Sequence, residues 1–65
     1  MTPKRLVWCL DAIGWSTRGA ADRLNVHETK LRYWKAGRYP VPDEVAAWLE
    51  TLAAAHRSNP PPKLA

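Results

Sequence analysis

Arg18, Arg23, Lys30, Arg32, Lys35 and Arg38 all lie within residues 16–39, opposed there only by Asp22 and Glu28. That stretch therefore carries net +4, which is the net charge of the whole 65-residue chain. Elsewhere Lys4, Arg5, Arg57 and Lys63 balance Asp11, Asp43, Glu44 and Glu50. Charge segregated in this way is the footprint expected for a polyanion, whose phosphates are neutralised by Lys and Arg. The plainer reading is an ordinary solvated face. Between the cations sit Ser16, Thr17, His27, Thr29, Tyr33 and Tyr39. Their hydroxyl and imidazole groups can hydrogen-bond phosphate oxygens or base edges.

Other chemistries find little support. Cys9 is the only cysteine, so no intrachain disulfide can form. Cys9, His27 and His56 lack the paired spacing of a zinc site, and no metal or other cofactor is expected. Gly14, Gly19 and Gly37 form no phosphate-cradling loop, and Ser16 with two histidines makes no plausible triad in so small a shell. Domains of this size bury only roughly 60% of their unfolded surface. The expectation is one thin core, no catalytic cleft, no small-molecule ligand and no enzyme. No apolar run approaches the roughly 20 residues of a membrane span. The start, Met-Thr-Pro-Lys-Arg, leads into no long apolar stretch of the kind a secretion signal needs. A soluble, cytoplasmic protein with a reduced thiol is expected.

Residues 16–39 must be positioned by helices. Leu6, Cys9, Leu10 and Ile13 recur at helical spacing over residues 4–13, with Pro3 suited to the first turn and Gly14 to the end. Ser16 is a good N-cap for a second helix over about Thr17–Leu24, whose inner face is Ala20, Ala21 and Leu24. Asn25, tolerant of left-handed backbone, interrupts. A third helix covers about Glu28–Ala36, with Leu31 and Trp34 facing inward and Gly37 as its stop. Pro40 and Pro42 keep residues 38–42 extended. Pro42-Asp43-Glu44 then opens a fourth helix, with proline first and acids near the positive end of its dipole. Val45, Trp48, Leu49 and Leu52 form its stripe, and it ends near Arg57. The predicted fold class is a small all-α domain of four helices over residues 1–57. The proline-rich residues 58–65 are expected to form a disordered tail. Cys9, Trp15, Trp34 and Trp48 are expected in the core, with Trp8 partly exposed.

Ala21, Asn25, Val26, Leu31 and Trp34 fall where a helix-turn-helix needs a close crossing, a turn and three angle-holding apolar contacts. In such a unit the later helix enters the major groove with its first residues at base edges. From Trp15 to Gly37 the chain resembles, without a gap, the Cro/CI-type helix-turn-helix repressors. Residues 39–53, Tyr-Pro-Val-Pro-Asp-Glu-Val-Ala-Ala-Trp-Leu-Glu-Thr-Leu-Ala, are similar to the C-terminal half of small phage anti-CRISPR-associated repressors. The shared features are the spacing of Pro40 and Pro42, Val45, and the Leu-Glu-x-Leu-Ala stretch at 49–53. The resemblance spans about residues 5–55. It implies a lambda-repressor-like homodimer in the bacterial cytoplasm, associated with the nucleoid. Such a dimer binds an inverted repeat in double-stranded DNA and represses its own, anti-CRISPR, operon. Asn25, Thr17 and His27 stand where that family commonly has glycine, glutamine and serine, so surface positions are carried over and the DNA sequence they read is not.

Arg32, mid-way along the exposed face of the third helix, is the expected reader of guanine through O6 and N7. Its plainer alternative is an i,i+4 ion pair with Glu28, and the two roles can coexist. Glu28 and Thr29 are candidates for base contact, with Lys30 and Tyr33 nearer phosphate or sugar. Ser16, Thr17 and Arg18 open the second helix, where helix N-termini bind phosphate. Arg38 and Tyr39 are placed on the flanking backbone. His27 is a weaker candidate, since a lone histidine at a turn is more often a cap. Arg23 is expected at the rear of the second helix. Ala46, Trp48, Leu52 and Ala53 are assigned to a dimer interface along the fourth helix. Two rivals stand beside this reading. Leu-Arg-Tyr-Trp at 31–34 also resembles MerR-type and excisionase proteins, which follow the motif with a β-wing. A small module that binds protein and never DNA is the other.

Overall fold

Each helix begins and ends on a local chemical signal. The structure, a computed structural model, describes residues 1–62. Helix α1 spans Pro3–Ile13, α2 Thr17–Leu24, α3 Glu28–Ala36 and α4 Asp43–Ser58. No strand occurs among the described residues. Thr2 caps α1, its Oγ1 accepting from the Arg5 N–H at 3.0 Å. Ser16 caps α2 through the Gly19 N–H, and the His27 ring caps α3 through the Thr29 N–H. Each cap satisfies a donor that the helix itself cannot. Pro42 sits just before the first turn of α4 rather than inside it, and its position makes no side-chain cap. Asp43 and Glu44 face the positive end of that helix's dipole instead.

The exits of α1, α2 and α3 are left-handed. Gly37 (φ 78°) and Asn25 (φ 55°) take backbone that side chains with a Cβ disfavour. Asn25 is the only non-glycine residue to do so among those described. Its N–H bonds to the Asp22 carbonyl, and the following Val26 N–H bonds to the Ala21 carbonyl at 3.0 Å. The chain thus leaves α2 and enters α3 within three residues, Asn25–His27. Asn25→Ala is expected to cost about 1–2 kcal/mol, the penalty of an L-residue held left-handed. Asn25→Gly should lie within a few tenths of wild type. Urea unfolding midpoints of the two variants check this.

Helix α1 is the hub. It packs on α4 and α3, while α2 and α3 pack on each other. The core is Leu6, Cys9, Leu10, Ile13, Ala20, Ala21, Leu31, Trp34, Val41, Leu49 and Ala53. Val41, only 6% exposed, plugs this core from the extended Pro40–Pro42 segment, a contribution that no helical periodicity announces. Trp48 corrects an expectation. Leu49 occupies the core in full, and its neighbour Trp48 is turned to the edge and 38% exposed. Its ring lies against Trp15, with centroids 5.5 Å apart and planes tilted by 46°. Trp15 is itself half-buried, Trp34 is buried, and Trp8 is half-buried. Helix α4 ends at Ser58, the first residue assigned to the tail. Residues 59–62 are exposed and outside any helix, and 63–65 lie outside the described residues.

Candidate functional site

The basic stretch maps onto α2, the turn, α3 and the loop beyond it. Leu31 and Trp34 anchor α3 by one face, which leaves Glu28, Thr29, Arg32 and Tyr33 on the faces that are half or fully exposed. None of Ser16, Thr17, Arg18, His27, Glu28, Thr29, Lys30, Arg32, Tyr33, Arg38 and Tyr39 is buried. Three clusters emerge.

At the start of α3, Arg32 Nη2 donates to Glu28 Oε1 at 2.8 Å. The Arg32 side chain is 67% exposed and that of Glu28 35%, so the guanidinium stands outside the carboxylate. Thr29 lies on the same turn as Glu28, its backbone N–H held by His27 Nδ1 at 3.1 Å. With Nδ1 accepting that bond, Nε2 is the ring nitrogen left over on an exposed residue. His27 is therefore a cap first, and any outside contact falls to Nε2.

At the start of α2, the Ser16 hydroxyl is engaged by the Gly19 N–H. Lys35 Nζ donates to Thr17 Oγ1 at 2.9 Å and ties the end of α3 to the beginning of α2. Arg18 is exposed beside them. The Lys35–Thr17 bond escaped sequence reasoning, because a link between two helices depends on how they cross.

Beyond α3, Tyr33 and Tyr39 meet edge-on with centroids 5.5 Å apart, and the Arg38 guanidinium lies 4.9 Å from the Tyr33 centroid. Lys30 stands 5.9 Å from the Trp34 centroid. Arg23 lies 4.5 Å from the Trp15 centroid and is bonded to the Gly19 carbonyl at 3.1 Å.

The residues assigned to a subunit contact divide. Trp48 is exposed, and Leu52 and Ala46 are half-buried. Ala53 corrects the assignment: it is 0% exposed, inside the chain's own core where α1 packs on α4, and offers nothing to a second chain.

One polar cluster was not anticipated at all. Arg5 Nε and Nη2 grip both oxygens of Glu50, at 2.6 and 3.0 Å, and the Cys9 thiol donates to Glu50 Oε1 at 3.0 Å. These partners lie 41 and 45 residues apart, so no local signal marks them. The Arg5 guanidinium also covers Trp8 at 3.9 Å. Its hydrogen bonds, joined by that of Cys9, hold the Glu50 carboxyl at about 2, well below the usual carboxylate range. Burial, reinforced by Glu50, pushes the Cys9 thiol up to about 11, so it stays protonated at neutral pH. A carboxylate with a depressed value stabilises the fold while ionised and loses that contribution as pH falls through its folded value. Stability should therefore decline between about pH 4.5 and pH 2 as the unfolded chain takes up a proton that folded Glu50 refuses. Glu50→Gln should flatten this part of the profile, read from melting temperatures across that range.

No cluster of three or more His, Cys, Asp or Glu side chains suited to a metal occurs among the described residues. No helix among them is long and apolar enough to cross a membrane. Compared with protein-family models, curated proteins and solved structures, the chain matches none.

Proposed function

We propose that this chain is a sequence-specific DNA-binding repressor whose α2, turn and α3 form a helix-turn-helix of the lambda-repressor kind. The observation that carries the reading is where the charge sits: the whole net charge of the chain lies on α2, α3 and the loop that follows. Helix α3 exposes Arg32 and half-exposes Thr29, while its opposite side is sealed by Leu31 and Trp34. Phosphate contacts from Ser16, Thr17, Arg18, Lys30, Arg38 and Tyr39 set register on the duplex. Arg32 and Thr29 select bases, with Glu28 bonded to Arg32 beside them. The left-handed Asn25 fills the role of the turn glycine in the repressors that residues 15–37 resemble.

In this reading the protein acts as a homodimer in the bacterial cytoplasm. Trp48, Leu52 and Ala46 supply the apolar contact along α4. Two α3 helices then enter successive major grooves about 34–36 Å apart on an inverted repeat. Occupying a promoter excludes polymerase, so the repression is steric. The resemblance of residues 39–53 to anti-CRISPR-associated repressors makes an anti-CRISPR operon, including the protein's own gene, the proposed target. Helix α4 stands where a winged relative of the MerR kind would need β-strands.

The rival is a protein-binding module with a basic face. Salt and sequence dependence together separate the two. Each phosphate neutralised steepens the fall of log affinity with log salt by about 0.9. Titrated over a range of salt, duplex DNA should give a slope worth several phosphates per protomer and keep a margin for one sequence over a shuffled one. A flat dependence with weak binding would favour the module.

A further inference from the structure

We infer that Glu28 is a positioning residue for Arg32, holding its guanidinium for one guanine and so setting where in the half-site the protein discriminates. The inference rests on the DNA-reading face proposed above and deepens it.

The partners of the basic side chains carry the argument. Arg23, Lys30 and Arg38 rest near the rings of Trp15, Trp34 and Tyr33, and Lys35 bonds to the Thr17 hydroxyl. Rings and hydroxyls steady a cation without cancelling its charge. Among the described residues, Arg32 is the only cation of this stretch that meets a carboxylate. For a phosphate grip that partner is a handicap, because a carboxylate repels phosphate and cancels the charge of the guanidinium it pairs with. For reading a base it is an advantage. Guanine presents neutral acceptors, and what matters there is the plane and direction of the fork.

The geometry suits a tether. The Nη2–Oε1 bond of 2.8 Å engages one N–H of the five that an arginine carries. The remaining donors on Nη1 and Nη2 can still approach O6 and N7 together. The carboxylate is the inner member of the pair and the guanidinium the outer, which is the order that an anchored reader requires. A side chain already held in place loses less freedom when it binds. As a source of stability alone, an exposed i,i+4 pair adds little.

The test starts from duplexes selected by the wild-type protein out of a randomised library. Binding of wild type, Glu28→Gln, Arg32→Ala and the double variant is then measured on the selected duplex, on the same duplex with single base pairs exchanged, and on a shuffled one. Glu28→Gln should lower discrimination about 5- to 10-fold at the base pair that depends on Arg32, part of what a bidentate contact is worth. It should leave other positions and the melting temperature unchanged. It should also raise affinity for the shuffled duplex, since a negative charge has gone. In the Arg32→Ala background it should change nothing further at that base pair.

Full discrimination by Glu28→Gln would overturn the inference while leaving the DNA-reading face intact. So would an equal loss with and without Arg32, which would make Glu28 itself the reader. A selected sequence with no Arg32-dependent base would overturn it too. A wild-type protein that selects no sequence would overturn the reading face, and this inference with it.

Discussion

Arg32→Ala is expected to remove most discrimination at one base pair of each half-site while leaving the fold intact. A bidentate arginine–guanine contact is worth about 1–3 kcal/mol of selectivity, or about 5- to 150-fold in relative affinity. Binding to unrelated duplexes should weaken much less, because Arg32 is one cation among several on the face and already shares its charge with Glu28. The melting temperature should scarcely move. The side chain is 67% exposed, and the ion pair it gives up is of a kind worth about 0.3–0.5 kcal/mol. Competition binding on a base-substitution series, paired with a thermal melt, reads both halves of this outcome. Unchanged selectivity would mean that the reading face lies elsewhere on the surface.

The neighbouring residue should behave in the opposite way. Leu31 is 0% exposed and pins α3 to the core, where α3 packs on both α1 and α2. Leu31→Ala leaves a cavity and should cost about 2–5 kcal/mol. At about 0.05–0.15 kcal/mol per residue, a domain of this length holds only about 3–10 kcal/mol in all. The variant should therefore melt far below wild type, with a sizeable unfolded fraction near body temperature, and lose every DNA affinity together. Chemical unfolding followed by far-ultraviolet circular dichroism measures the loss. A cost within a few tenths of zero would contradict the packing of α3 on α1 and α2. Two adjacent positions thus separate reading from folding, because a helix turns by about 100° between them.

What could be read from the residues, and what could not, divides by distance along the chain. The limits of α2 and α3 follow from signals within a few residues. Ser16 caps, Asn25 turns left-handed, and Gly37 stops the third helix. The core stripe of α1 follows from the spacing of Leu6, Cys9, Leu10 and Ile13. Periodicity gives a direction around a helix but not how wide a stripe the neighbouring helix covers. Trp48, one residue from Leu49, was therefore expected inside and lies at the edge. Ala53 reads as free surface by its spacing and is covered by the core. Contacts between distant segments left no local trace. The Arg5–Glu50–Cys9 cluster and the Lys35–Thr17 bond depend on how helices cross, and Val41 fills the core from a segment with no periodicity. For the candidate site, the sequence marked which side chains are basic and which helix carries them. The i,i+4 spacing of Glu28 and Arg32 also marked their ion pair as one alternative, but not that, among the described residues, Arg32 alone of the basic stretch meets a carboxylate.

An α2–α3 face that reads a DNA sequence must prefer its operator to an unrelated duplex. Fluorescence anisotropy of the purified protein with duplex DNA from immediately upstream of its own gene tests this most directly. A shuffled duplex of the same composition is the control, and both are titrated at low and near-physiological salt. Selective binding that persists at the higher salt and saturates at two protomers per site is the expected result. Equal, weak binding to both duplexes that vanishes as salt rises would contradict it, and would reduce the basic face to a non-specific footprint.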